Sequence, residues 1–307
     1  MSETGGMELG AMHRAVAVWF AEAARPLPWR HPATSAWGIL VSEVMSQQTP
    51  VARVAPVWEE WLRRWPRPGD LARASAAEVL RAWGRLGYPR RALRLQECAR
   101  AVVEDHAGEV PEEEAALLAL PGVGPYTAAA VRAFAFGRRA TVLDTNVRRV
   151  LARTFDGEAM PPPHLGVAER RRAKSRLPAG DAPAAAWNAA VMELGAVVCT
   201  ARSPDCGSCP LAAGCRWLAA GRPADRHAAR RRTQPWHGTD RQVRGRVMQL
   251  LREHPDPAGV VEAALLEALD GGSTPPEQAR RAISGLLDDG LIARTGTATP
   301  RISLPRT

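Results

Sequence analysis

The chain has 307 residues, 46% of them hydrophobic, with a formal net charge of +9 and a sequence pI near 10.4. That length can bury one large core or two smaller ones, and the charge favours an anionic partner, nucleic acid before membrane. No apolar run approaches the length that spans a bilayer. The acidic, glycine-bearing start does not read as a signal peptide, so an intracellular chain with reduced thiols is expected.

The positive charge is almost all arginine; Lys174 is the one lysine. Residues 9–24 read as an Ala-rich amphipathic helix, followed by the proline-punctuated loop Arg25 to Arg30, RPLPWR. Helices are expected at 35–49, 51–65, 75–83, 89–106, 112–119 and 125–136, separated by proline or glycine signals. No sustained period-two alternation occurs before residue 220, so that part reads as all-α.

In SAWGILVSEVMSQQTP, Trp37, Leu40, Val41 and Val44 recur at helical spacing, and Pro50 fits the stop. Glu43 lies at the edge of that stripe, with Gln47 four residues on. A carboxylate against an apolar wall has its charged form disfavoured and can hold a proton near neutrality, which suits a general acid. A solvated surface glutamate is the alternative. In AALLALPGVGPYTAAAVRAFAF, Gly122 and Gly124 permit positive φ and leave N–H groups uncovered, and Pro125 suits the first position of the next helix. Leu-Pro-Gly-Val-Gly followed by Thr127-Ala128 is the helix-hairpin-helix pattern, which grips DNA backbone. Asp144 precedes a helix whose apolar face is Val147, Val150 and Leu151, so it reads as an N-cap, with Asn146 in the first turn.

Cys199, Cys206, Cys209 and Cys215 follow a Cys-x6-Cys-x2-Cys-x5-Cys spacing with no histidine inside the run. Four thiolates in one compact loop suit an iron–sulfur cluster, with zinc as the alternative. Cys98 stands apart, as a buried filler. Beyond Gly221 an Arg-rich linker (221–237) leads to residues 238–307. Helices at 240–253, 258–269 and 276–289, then a β pair within 291–304, give the order of a winged-helix-like module.

Together PLPWR, SEVMSQQT, LPGVGPYTAAA, VLDTNVRRVLAR and MELGAVVCTARSPDCGSCP, in this order, resemble the helix-hairpin-helix DNA glycosylases with an iron–sulfur cluster. Within these the chain looks more like the A/G-specific adenine glycosylases of MutY type than like endonuclease III. The resemblance covers residues 8–220. It implies an all-α, two-lobed fold: a six-helix lobe about 31–136, and an iron–sulfur lobe formed by the N-terminal helix with 137–220. It also implies a [4Fe-4S] cluster on the four cysteines and a bacterial-type, nucleoid-associated monomer acting on double-stranded DNA with A·8-oxoguanine or A·G mispairs. Endonuclease III-like relatives carry a lysine nucleophile where this chain has Tyr126, so a Schiff-base lyase step is expected to be missing. The resemblance makes Glu43 the acid, Asp144 the carboxylate that shelters the developing sugar cation, and Tyr126 and Asn146 its supports. It places Gln48, Thr49, Leu86 and Tyr88 at the lesion, with Gln48 and Tyr88 wedged beside the mispair. Arg25, Leu27, Trp29 and Arg30 wall the adenine pocket, and the Gly122, Gly124 and Thr127 hairpin holds backbone. Ser46 departs from a usual leucine and Ala189 from a usual Glu or Gln. Residues 221–307 are too short and too helical for the β-rich domain with which many MutY-type enzymes read 8-oxoguanine. Adenine removal is therefore implied, and strict preference for 8-oxoguanine over guanine is not. A thymine glycosylase for G·T mismatches and a non-catalytic DNA-binding protein are the rival readings.

Overall fold

In a computed structural model, residues 7–230, 238–270 and 274–306 are described, and they are mainly helical. In chain order the helices are α1 (Leu9–Ala23), α2 (Ala36–Ser46), α3 (Val51–Arg64), α4 (Pro68–Arg73), α5 (Ala76–Trp83), α6 (Arg90–Asp105), α7 (Glu114–Ala119) and α8 (Pro125–Phe134). They continue as α9 (Thr145–Leu151), α10 (Val167–Ser175), α11 (Asp181–Val197), α12 (Arg216–Ala219) and α13 (Asp240–Glu253). After these come β1 (Val260–Val261), α14 (Glu262–Asp270), α15 (Pro276–Asp288), β2 (Ala293–Thr295) and β3 (Arg301–Ser303). The chain divides into two compact units: residues 1–39, 112–118 and 123–232, and residues 40–111, 119–122 and 233–307.

The first unit is built on α11, which packs against α1, α8 and α9. Val16, Val147, Val150, Trp187, Val191, Leu194 and Leu211 form its core. A single wide turn, Ala152–Asp156, follows α9 and packs on α12.

The second unit packs α4 and α5 on α6, and α3 on α5. Trp61 stands edge-on to both Trp65 and Trp83, with ring centroids 4.8 and 5.4 Å apart. Ser75 and Glu78 cap α5 reciprocally, which fixes where it starts. Near the C-terminus, α13, α14 and α15 pack on one another, and the sheet order is β1-β3-β2, both pairings antiparallel.

Three details differ from the sequence expectations, and one expectation lies partly outside the described residues. Helix α2 stops at Ser46, so Gln47 leaves the helix and does not continue the strip of Glu43. The cause is local: Pro50 excludes helical geometry at Thr49, and the residues before it close a turn. Helix α4, begun by Pro-Gly, was not anticipated. β1 occupies positions that a helix at 258–269 had covered. The far end of the expected Arg-rich linker, 231–237, lies outside the described residues.

Candidate active site

Asp144 is the N-cap of α9. One carboxylate oxygen accepts from the Val147 backbone N–H at 2.6 Å, and the other from Asn146 Nδ2 at 2.9 Å. Desolvation raises its pKa above the ordinary aspartate value; these hydrogen bonds and the charge of Arg149 partly offset that. The cap expected from the sequence is therefore present. Asn146 Oδ1 accepts from Arg149 Nη2 at 2.8 Å, and Arg149 also donates to the carbonyls of Gly195 (2.6 Å) and Cys199 (2.7 Å). A buried guanidinium thus ties the carboxylate's neighbour to the first cysteine of the metal loop. Gly195 makes this approach possible: a Cβ there would lie 2.7 Å from Asn146 Cβ. Tyr126, on α8, packs against the cluster of Ala129, Ala130, Ala133, Ala140 and Val142.

Arg25 and Arg30 do not stand open. Arg25 Nε and Nη2 donate to the two oxygens of Glu193 at 2.6 and 2.8 Å, and Arg30 Nη2 donates to Glu193 Oε2 at 2.9 Å. Glu193 is 1% exposed. Burial alone would push its carboxyl up, but the two guanidiniums outweigh it and hold it down at about 2. The pair fixes the RPLPWR loop, in which Trp29 is buried and Leu27 half-buried. Glu193 lay inside the MELG motif and was not singled out from sequence.

Glu43 belongs to the second unit and is 8% exposed on α2, flanked by the buried Ser42 and Val44. Trp37, Leu40 and Val41 are buried as expected, but so are Ile39 and Met45, so the helix is enclosed nearly all round.

Two neighbouring turns follow. Thr49 and Leu86 are buried, and Thr49 Oγ1 donates to the Leu86 carbonyl at 2.9 Å. Gln48 and Tyr88 are exposed, with φ of 56° and 47°. Only four non-glycine residues among those described have positive φ, and these are two of them. Such backbone is costly for a tyrosine and persists where surroundings over-determine it. Arg91 supplies that constraint. It donates to the carbonyls of Val44 (2.9 Å), Met45 (3.3 Å) and Gln47 in one turn, and of Leu86 (3.3 Å) and Gly87 (3.1 Å) in the other. Burial lowers its pKa to about 10, which still leaves it charged at neutral pH.

At the hairpin, Gly122 has φ of 79° and a Cβ there would sit 3.2 Å from Arg94 Cβ. Gly124 has ordinary extended backbone (φ −97°), so the expectation of positive φ holds at one glycine only. A Cβ on Gly124 would meet nothing within 4 Å, and Pro125 opens α8 directly after it. Thr127 is buried. Lys174 is exposed on α10.

Cys199, Cys206, Cys209 and Cys215 line one cavity with Arg153, Leu194 and Trp217. Burial pushes the Cys209 thiol to about 11, and the other three sulfurs act on it through space, so all four are neighbours. The four thiols line this one cavity, and four thiolates without a histidine suit an iron–sulfur cluster. Arg153, 2% exposed, reaches Cys199 Sγ at 3.4 Å, donates to the carbonyls of Thr200 and Ala201, and lies 4.4 Å over the Trp217 ring.

Residues 41–171 match the HhH-GPD superfamily of base excision DNA repair proteins, and residues 199–215 match the iron–sulfur binding domain of endonuclease III. Fold and site therefore define a helix-hairpin-helix repair protein with an iron–sulfur loop. An adenine DNA glycosylase of Mycolicibacterium smegmatis is 49% identical over 277 residues, 90% of this chain and 91% of that protein. One from Mycobacterium tuberculosis is 48% identical over 94% of this chain and 91% of its own length. The chain belongs to the adenine DNA glycosylase family. Among solved structures, a thermostable thymine-DNA glycosylase is similar with a TM-score of 0.62 and 28% identity, over 69% of this chain and 97% of that one. A non-covalent endonuclease III–DNA complex is similar with 0.59 and 26%, over 72% and 99%.

Proposed function

We propose that the protein is a monofunctional glycosylase that binds double-stranded DNA as a monomer. It hydrolyses the N-glycosidic bond of adenine mispaired with 8-oxoguanine or guanine and leaves an abasic site. The observation that carries the chemistry is the Asp144 carboxylate, held by the N-terminus of α9 and by Asn146. The choice of adenine rests on the relatives.

In this reading the target nucleotide is flipped from the stack. Glu43 protonates the departing purine, and the ionised Asp144 shelters the sugar as positive charge develops. Glu43 then takes the proton of the incoming water. Tyr126 has no amine, so no covalent imine forms at that position. Gln48 and Tyr88 wedge beside the mispair, on turns whose shape Arg91 holds in advance. Glu193 keeps Arg25 and Arg30 in place as the wall of the base pocket. The four cysteines hold the [4Fe-4S] cluster, which when bound cross-links the loop that Arg149 and Arg153 grip.

The decisive assay measures adenine release from duplexes holding A·8-oxoguanine, A·G and G·T, with and without alkali. Free adenine, with strand nicks only after alkali, is expected. Glu43→Gln should bind the same duplex and release nothing; retained turnover removes Glu43 from its role. Release of thymine from G·T instead would favour the second reading, which has support in a thymine/uracil-DNA glycosylase of Pyrobaculum aerophilum that is 34% identical over 67% of this chain.

A further inference from the structure

The last helices and sheet of the second unit are not idle neighbours of the Tyr88 turn. The Arg241 guanidinium, at the start of α13, lies 4.5 Å from the centroid of the Tyr88 ring. The end of α13 contributes Glu253, 3.8 Å from Arg85, and the residue after α15 contributes Asp289, 2.7 Å from Arg90. Asp289 is itself paired with Arg244 of α13. Three points on the C-terminal module thus bracket residues 85–90. The Arg85–Glu253 pair is 71% and 62% exposed, and such pairs add little stability. Their effect is geometric.

What they bracket is an exposed aromatic ring on strained backbone. Gly87 and Tyr88 are successive residues at positive φ (82° and 47°), and Tyr88 is 38% exposed. Arg91 lies on the ring from within the helical lobe, 5.5 Å from the centroid, and Arg241 lies closer from the module. A guanidinium is planar and stacks on aromatic faces, so it restrains how the ring turns without closing it off. We propose that Arg241 is a positioning residue: through it, the C-terminal module presets the Tyr88 ring in the orientation that enters the base stack. This gives the module a role in engaging the mispair, and it rests on the reading of Tyr88 as the wedge. Presetting a side chain that must be fixed on binding removes part of the ordering cost.

The test uses the full chain and duplexes with 2-aminopurine next to the A·8-oxoguanine pair, whose fluorescence rises as the stack opens. Arg241→Ala should slow single-turnover base release about two- to fivefold, as loss of one solvent-exposed cation–π contact implies. It should also diminish the fluorescence rise while leaving the melting temperature unchanged. Arg241→Lys should recover part of both, and Asp289→Asn should show a smaller loss of the same kind. In a Tyr88→Ala background, Arg241→Ala should add nothing. Wild-type rate and fluorescence in Arg241→Ala, or an additive loss in the double variant, would overturn the proposal. So would faster release, which would make Arg241 a cover over the ring. If Tyr88→Ala is itself silent, the wedge reading falls and takes this one with it. If Tyr88→Ala is impaired and Arg241→Ala is silent, only the role of the module is lost.

Discussion

Individual side chains here act in pairs whose second member gave little signal in the sequence. Glu193 is the clearest case. Its carboxyl is held at about 2, against an ordinary value of 4.5, so its ion pairs stabilise the fold fully above about pH 4.5 and lose that effect as pH falls towards 2. Glu193→Gln should therefore be less stable than wild type at neutral pH, and the gap should close between pH 4.5 and 2. The difference should be on the order of 2 kcal/mol, less than the full shift implies because Arg25 is a third exposed; urea titrations across that range measure it. Asp144 runs the other way. Its raised pKa disfavours the ionised form that the proposed mechanism requires, so on that proposal base release should fail on acidification at a pH above the ordinary aspartate value. Asp144→Asn should abolish that limb together with activity. The burial of Glu43 and the cap at Asp144 were legible in sequence because an apolar helical stripe and a helix start frame them; their proposed roles came from the resemblance of the motifs. Glu193, Arg91 and Arg149 were not, because an arginine in an arginine-rich chain stands out only when its partners from distant segments are seen.

At the level of elements, close approach decides more than propensity. Helices α9 and α11 meet where Gly195 faces Asn146, and no side chain fits between them. Gly195→Ala should push Asn146 off the Asp144 carboxylate and cut single-turnover release by about tenfold or more, with the helical circular dichroism signal kept. In the hairpin, Gly122→Ala combines left-handed backbone with a tight contact to Arg94, a strain of about 1 kcal/mol or more. Weaker binding to undamaged duplex, read by fluorescence anisotropy, should follow; unchanged affinity would show that the turn tolerates the change. The long amphipathic helices were readable from their period. The ends were not: the break of α2 at Ser46 depends on a turn locked by Thr49 and Arg91, and α4 is a single short helix started by Pro68. β1 is two residues long and exists because β3 pairs with it, which no local pattern announces.

For the whole molecule, the charge of +9 and the metal loop make two commitments. Affinity for duplex DNA should fall steeply with salt, linearly in log–log form, as counterions are released. Stripping iron should leave four half-buried thiols in a cavity whose walls Arg149 and Arg153 brace, so the apo protein should melt at a lower temperature and bind DNA more weakly; equal melting curves would argue that the loop holds without its cluster. The order of motifs carried the glycosylase portion into view early, because its spacings survive in the chain, whereas the contacts of residues 85–90 with α13 and Asp289 join segments about 150 to 200 residues apart. One further property follows from composition and placement together. Lys174, exposed on α10, is the one side-chain amine in the protein. An amine-reactive dye will therefore tag a single defined helix besides the chain's leading amino group. A lone molecule could then be followed along stretched DNA while its iron-bound thiols stay unmodified.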